Sequence, residues 1–312
     1  MSTFAITFPG QGSQSVGMLS EFAESFPVVK HTFQEASEAL GLDLWKMTQA
    51  GPAEELNQTQ NTQPAMLAAG IGVWRVWNEH NGPRPAAMAG HSLGEYSALV
   101  AAGALDFADA VRLVRERGRL MQQAVPQGEG AMAAILGLSD EQVRGVCAQA
   151  AQNEVAEAVN FNSPGQVVVA GNAAAIARAV DLAKEAGAKR ALMLDVSVPS
   201  HCALMRGAAD QLYEVIQGVD LRMPEIPVIH NVSVGRAGSV EEIQDLLKRQ
   251  LYSPVRWVET VQALAGEGVE ILLEAGPGKV LTGLSKRIDK SLNGLAVFDG
   301  PSLDKALETI NG

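Results

Sequence analysis

Short apolar runs alternate with longer amphipathic stretches along nearly the whole chain, and few folds accept that alternation. Runs at 3–8, 85–90, 226–234, 269–274 and 295–299 read as strands. Stretches near 17–39, 63–79, 93–103, 107–124, 202–218, 239–251, 255–267, 278–288 and 301–310 read as helices. Strands separated by helices pair in parallel, because the crossover must return the chain to the edge it left. An α/β fold with a largely parallel sheet is therefore expected. One block departs from the pattern. After the breaker cluster Pro126-Gln127-Gly128-Glu129-Gly130 comes an apolar run, Ala131 to Leu138, then a helix opened by Ser139 with Asp140 and Glu141 in its first turn. Two β-like runs, 155–161 and 166–170, are split by Asn162-Ser163-Pro164-Gly165. A helix at 173–187 and a run at 189–198 complete a β-α-β-β-α-β order, the ferredoxin-like unit. Residues 126–197 are thus expected to form a small subdomain inserted into a larger domain made of 1–125 and 198–312. A cleft between the two is the natural substrate site.

At 312 residues, 47% of them apolar, the chain can bury a full core without staples. Its formal charge of −11 and the lack of a basic stripe argue against nucleic acid as a partner and against an anionic membrane surface. Two cysteines, Cys147 and Cys202, exclude a disulfide framework and a four-cysteine zinc site, and no metal-ligand cluster or metal motif is visible. The longest apolar runs, such as Ala98 to Leu105, fall far short of the roughly 18 residues a membrane span needs. The first cationic side chain is Lys30, and Phe4-Ala5-Ile6-Thr7-Phe8 reads as a strand, not a secretory signal. A cytoplasmic location is expected.

The strongest motif is Gly90-His91-Ser92-Leu93-Gly94, between a strand and a helix. That is the context of a G-x-S-x-G nucleophile elbow, in which a sharp turn lifts the serine hydroxyl clear of the sheet. The Leu93 N–H then opens a helix and can face a developing oxyanion. Serine needs a base. His31 and His80 lie on polar stretches, and His91 adjoins Ser92 but diverges from it, as a pocket wall would. His201 sits on a strand-to-helix loop and is favoured as the base; His230, at a strand end, stays the second candidate. Residues 231–312 contain no histidine, which is unlike the Ser, acid, His order of an ordinary α/β-hydrolase.

On the helix at 107–124, Arg117 borders the apolar stripe, while Arg112, Arg115 and Arg119 lie opposite. Two readings stay open: a fork for a substrate carboxylate, or a structural ion pair, to Glu95 for example. Gly276-Pro277-Gly278-Lys279 fails the phosphate-loop pattern, and Gly10-Gln11-Gly12 lacks the third glycine of a dinucleotide turn. The latter loop follows the first strand and is placed to lend the Gln11 N–H to an oxyanion hole. Cys202, beside His201, reads as a small buried filler.

Several fragments occur together in order: Phe8-Pro9-Gly10-Gln11-Gly12-Ser13-Gln14, Thr62-Gln63-Pro64-Ala65, Gly90-His91-Ser92-Leu93-Gly94-Glu95, Arg117-Gly118 with Met121-Gln122, Val198-Pro199-Ser200-His201, Gln250-Leu251-Tyr252-Ser253-Pro254-Val255 and Glu274-Ala275-Gly276-Pro277-Gly278. From residue 4 to about 288 the chain resembles the malonyl-CoA:acyl carrier protein transacylases of bacterial fatty-acid synthesis. The resemblance implies an α/β-hydrolase-like domain with an inserted ferredoxin-like subdomain. It implies ping-pong transfer of malonyl from malonyl-CoA to the phosphopantetheine thiol of holo acyl carrier protein, with no cofactor. Ser92 would be acylated, His201 would be its base, and the Gln250 backbone carbonyl would orient the imidazole. Gln11 and Leu93 would supply oxyanion N–H groups, Arg117 would hold the malonyl carboxylate, and Asn160, Gln63 and His91 would line the pocket. Candidate docking cations for an acidic carrier are Lys189-Arg190, Lys248-Arg249 and Lys286-Arg287. The alternatives are the same chemistry in a polyketide or malonate pathway, a serine thioesterase or hydrolase, and a non-catalytic binding module.

Overall fold

The fold is taken from a computed structural model, which describes residues 2–196 and 198–312. Residue 197, the expected end of the inserted segment, lies outside the described residues. The strands are β1 (Phe4–Phe8), β2 (Ala87–Gly90), β3 (Gly130–Leu136), β4 (Ala156–Ser163), β5 (Gln166–Asn172), β6 (Arg190–Met193), β7 (Val228–Ile229), β8 (Ile271–Ala275) and β9 (Asn293–Val297).

Five of them form a wholly parallel sheet in the order β7-β2-β1-β8-β9. Along β1 the side chains alternate. Phe4, Ile6 and Phe8 enter one large helix-covered core, and Ala5 enters a second core with Ala87, Ala89 and Trp257 on the opposite face. Both faces are covered, as a parallel sheet requires. The other four strands form an antiparallel sheet in the order β4-β5-β3-β6, all drawn from the expected insert. Its helices, Asp140–Ala151 and Ala173–Glu185, cover the face that carries Ile135, Val167 and Val169. Met132, Val168 and Ala170 point to the other face, where they meet Cys202. The fold class is thus mixed α/β, with one parallel and one antiparallel sheet. β4 is tied to Val255, which precedes the helix Trp257–Gly266 and lies outside the named strands: Val255 N–H donates to the Val159 carbonyl at 2.8 Å, and Phe161 N–H donates to the Val255 carbonyl at 3.0 Å.

Three expectations need correction. The helix expected over 17–39 is two helices, Ser20–Ser25 and Pro27–Leu40, because Phe26 precedes a proline and is held extended. The strand expected over 226–234 keeps only two residues. Pro227 has no N–H for a ladder, and by Val234 the backbone is left-handed, at φ 54°. The run expected over 189–198 keeps strand form only over Arg190–Met193, with one more backbone bond from the Leu194 N–H to the Met132 carbonyl. Two short helices went unexpected, Leu44–Ala50 and Ala53–Leu56; the first is capped by Asp43, whose carboxylate accepts the Lys46 N–H. Among the described residues no helix is long and apolar enough to cross a membrane.

Candidate active site

The C-terminal ends of β1, β2, β7 and β8 open on the same edge of the parallel sheet, where ligands bind in open α/β folds. Ser92 leaves β2 there and leads into the helix Gly94–Ala101. Its backbone is left-handed, at φ 52°, a conformation that costs a residue with a Cβ on the order of 1–2 kcal/mol. The flanking glycines make the turn possible. A Cβ on Gly90 would lie 1.8 Å from the Gly94 carbonyl carbon, and one on Gly94 would lie 2.0 Å from the Phe8 oxygen.

Ser92 Oγ is 2.7 Å from His201 Nε2. His201 Nδ1 is 2.7 Å from the backbone oxygen of Gln250. A carbonyl oxygen only accepts, so Nδ1 carries the proton and Nε2 turns its lone pair to the serine. Burial, and then the nearby Arg117 cation, push the imidazole down to about 3, which leaves it neutral and able to accept a proton. His230 faces elsewhere: its Nδ1 is 2.8 Å from Glu95 Oε1, and both residues are buried. Of the two histidines, His201 is the one in contact with Ser92.

Arg117 is fully buried on the helix Phe107–Gln123. The next residue, Gly118, packs against helix Thr59–Glu79 so closely that a Cβ there would lie 2.6 Å from Gln60 Cα. That approach brings Arg117 Nη1 within 2.8 Å of Gln63 Oε1. Nη2 donates to Gln250 Oε1 at 2.9 Å and lies 3.3 Å from Ser92 Oγ. Its Nε has no partner, and among the described residues no carboxylate lies within 4.0 Å of the guanidinium. The ion pair with Glu95 is not made. Glu95 Oε2 accepts from Gln250 Nε2 at 2.8 Å, so a neutral amide stands between the two charges. Burial lowers the guanidinium's pKa, and an anion placed beside it would relieve the buried cation.

Ser92 and His201 face a cavity of about 450 Å³ between the two sheets, while Arg117 is buried behind its wall with Nη2 3.3 Å from the Ser92 hydroxyl. Gln11, His91, Asn160, Met132 and Val168 are on its wall with Ser92 and His201. Two register shifts in the β4–β5 pairing bracket Asn160, whose Oδ1 is buried and unpartnered. His91 Nε2 meets Asn162 Oδ1 at 2.8 Å, and its ring packs against Trp257. Gln63 is not on the wall; it is buried behind the guanidinium it holds. At the helix mouth the amides of Gly94, Glu95 and Tyr96 bond the carbonyls of His91, Ser92 and Leu93. That leaves the Leu93 amide as the one without a partner there among the described residues.

The acyl transferase domain family matches residues 6–297. The chain belongs to that family. Among relatives of this acyltransferase, the malonyl CoA-acyl carrier protein transacylase of Escherichia coli (strain K12) is 56% identical over 308 residues, which are 99% of this chain and 100% of the relative. An acyl carrier protein S-malonyltransferase from Vibrio cholerae superposes with a TM-score of 0.96 at 61% identity, covering 98% of this chain and 100% of that one. A malonyl-transacylase solved in complex with a type II polyketide-synthase acyl carrier protein superposes at 0.98 with 57% identity, covering 99% and 100%.

Of two further polar residues of the acyltransferase site, Asn231 escaped the sequence reading and Glu95 was named there only as an ion partner for Arg117. Asn231 accepts the Ser92 N–H and donates to the Gly90 carbonyl, and Glu95 receives three donors beneath the elbow. Asn231 had one usable signal, a polar residue next to His230 inside the apolar run read as a strand over 226–234. Glu95 was read as a partner for Arg117, and its place beneath the elbow had no signal, since an acidic residue in a helix's first turn otherwise reads as ordinary dipole compensation.

Proposed function

We propose that this acyltransferase moves a malonyl group from malonyl-CoA to the phosphopantetheine thiol of holo acyl carrier protein, supplying malonyl carrier for fatty-acid synthesis. One observation carries the donor assignment: a buried guanidinium with only neutral partners lies 3.3 Å from a serine hydroxyl that is paired with a neutral histidine. A malonyl carboxylate on Arg117 sets its thioester carbonyl against Ser92 Oγ. His201 Nε2 takes the hydroxyl proton as Oγ bonds the carbonyl carbon, and the N–H groups of Gln11 and Leu93 receive the oxyanion. The carbon–sulfur bond breaks, and the CoA thiolate leaves with the proton from His201. The carrier thiol then gives its proton to His201 and attacks the malonyl ester, and Ser92 leaves and recovers that proton. The Gln250 carbonyl orients the imidazole in place of an acid. His91 and Asn160 shape the passage for the pantetheine arm, and Gln63 holds Arg117.

In the same reading, 1–125 and 198–312 are an α/β-hydrolase-like domain, 126–197 are a ferredoxin-like insert, and the enzyme works in the cytoplasm. The element order of the insert and its strand order support the second term. The test is intact-protein mass after brief mixing with malonyl-CoA or acetyl-CoA, then addition of holo carrier. One malonyl adduct, absent in Ser92→Ala and discharged onto the carrier, is the expected result. An adduct lost to free malonate whether or not carrier is added would mean a hydrolase. A polyketide carrier is the second reading, favoured by the neighbour solved with such a carrier. Competition between fatty-acid and polyketide carriers for the malonyl adduct separates the two.

A further inference from the structure

We infer that Asn231 is a positioning residue for acyl transfer: by holding both ends of the elbow it aims the Leu93 amide at the reacting carbonyl. The inference rests on Ser92 being the nucleophile and concerns what holds its backbone.

Asn231 is fully buried just after β7, the strand beside β2. Backbone pairing between the two stops at Ala89 and Ile229. Where the next rung would be, the side chain of Asn231 takes over. Its Nδ2 donates to the Gly90 carbonyl at 2.7 Å, and its Oδ1 accepts the Ser92 N–H at 2.8 Å. Only one orientation of the amide serves both, because the first partner only accepts and the second only donates. The peptide plane entering Ser92 is thereby pinned. The plane leaving it is pinned through the Ser92 carbonyl, which accepts from Gln250 Nε2 and from the Glu95 N–H, both at 3.1 Å. In a planar trans peptide the C=O and N–H point opposite ways, so binding the Ser92 carbonyl on one side aims the Leu93 N–H to the other.

The two clamps share an anchor. The Asn231 N–H donates to Glu95 Oε2 at 2.9 Å, and the same oxygen accepts Gln250 Nε2 at 2.8 Å. The loop that presents Asn231 is closed by His230 N–H on the Gly235 carbonyl and by Val234 N–H on the His230 carbonyl. Val234 is left-handed at φ 54°, which a β-branched residue adopts only when its surroundings impose it. Neither hydrogen bond of the Asn231 side chain involves Arg117 or its partner Gln250, so the loss of that side chain should impair the reaction and spare recognition of the carboxylate.

The experiment is pre-steady-state acylation of Asn231→Ala by malonyl-CoA and acetyl-CoA, followed by intact mass and scaled to the fraction of enzyme acylated at long times, with thermal melts alongside. On the scale of a misdirected oxyanion donor, kcat should fall on the order of 100-fold for both donors. KM for malonyl-CoA should stay within about 3-fold, and the malonyl-to-acetyl ratio should not move. Asn231→Asp is the second variant. It still offers an oxygen to the Ser92 N–H but turns another oxygen on the Gly90 carbonyl, and kcat should fall on the order of 10-fold. If Asn231→Ala does not fold, Asn231→Asp decides. A rate per competent site within about 3-fold of the parent, with only a lower Tm, overturns the inference. So does a raised KM at constant kcat, or a collapsed malonyl-to-acetyl ratio. Ser92→Ala runs in parallel: an adduct there would sink the nucleophile reading, not this inference.

Discussion

At the scale of single residues, protonation is where burial has its plainest consequence. An imidazole at its ordinary value near 6.5 keeps only about a tenth of its neutral form at pH 5.5. His201, pushed down to about 3 by burial and by Arg117, keeps nearly all of it. The kcat/KM for acylation should therefore vary by less than about 2-fold between pH 7.5 and 5.5; a roughly ten-fold decline measured over that interval would refute a depressed base. The sign for stability follows. Between about 6.5 and about 3 the unfolded chain holds a proton on this residue that the folded chain does not. The group's contribution to stability is whole above 6.5 and is lost as pH falls toward 3. Ser92 was legible because glycines fix its turn, and His201 because of its loop. Arg117 was half legible: helical spacing places it near the core but says nothing of its partners. The role of Gln250 came only from resemblance, since a backbone carbonyl leaves no residue-type signature.

At the scale of elements, the site depends on how closely two helices approach. Gly118→Ala would set a methyl 2.6 Å from Gln60 Cα and 2.7 Å from the Thr59 oxygen, and backbone cannot step aside as a side chain does. A loss of about 1–3 kcal/mol is expected, read as a lower midpoint in denaturant. KM for malonyl-CoA should also rise, because spreading the helices draws Arg117 from Gln63. An unchanged KM would show that the helix contact does not set the guanidinium. Most elements were legible from periodicity. The exceptions have separate causes: Pro27 splits a continuous pattern, and the half-buried Val232 and Val234 after Ile229 lie in a loop, not in the sheet.

At the scale of the whole molecule, the proposed transfer brings an enzyme of formal charge −11 to a carrier expected to be acidic. Basic pairs were legible, but which of them are free depends on tertiary neighbours. Lys248 is paired with Asp210 and Arg249 with Asp245. Lys189, Arg190, Lys286 and Arg287 have no carboxylate within 4.0 Å among the described residues. Arg287 donates to Gln166 on the cavity wall, and exposed Val196 and Val280 line the same mouth. Lys286→Glu with Arg287→Glu should raise KM for the carrier about 10-fold or more and leave acylation by a phosphate-free malonyl thioester unchanged. The same double change at Lys248 and Arg249 should do neither.

The guanidinium that lacks a counter-ion also makes this enzyme's endurance depend on the anions dissolved around it. Whatever neutralises Arg117 binds the folded chain and not the unfolded one, so it raises the melting temperature by mass action, by the equivalent of about 2.7 kcal/mol at a hundred times its dissociation constant. Malonate should protect the protein against heat where chloride at equal ionic strength does not, and Arg117→Ala should melt at one temperature in both. An enzyme short of donor would then also be the one most readily unfolded and cleared, so that its abundance follows the supply of what it consumes.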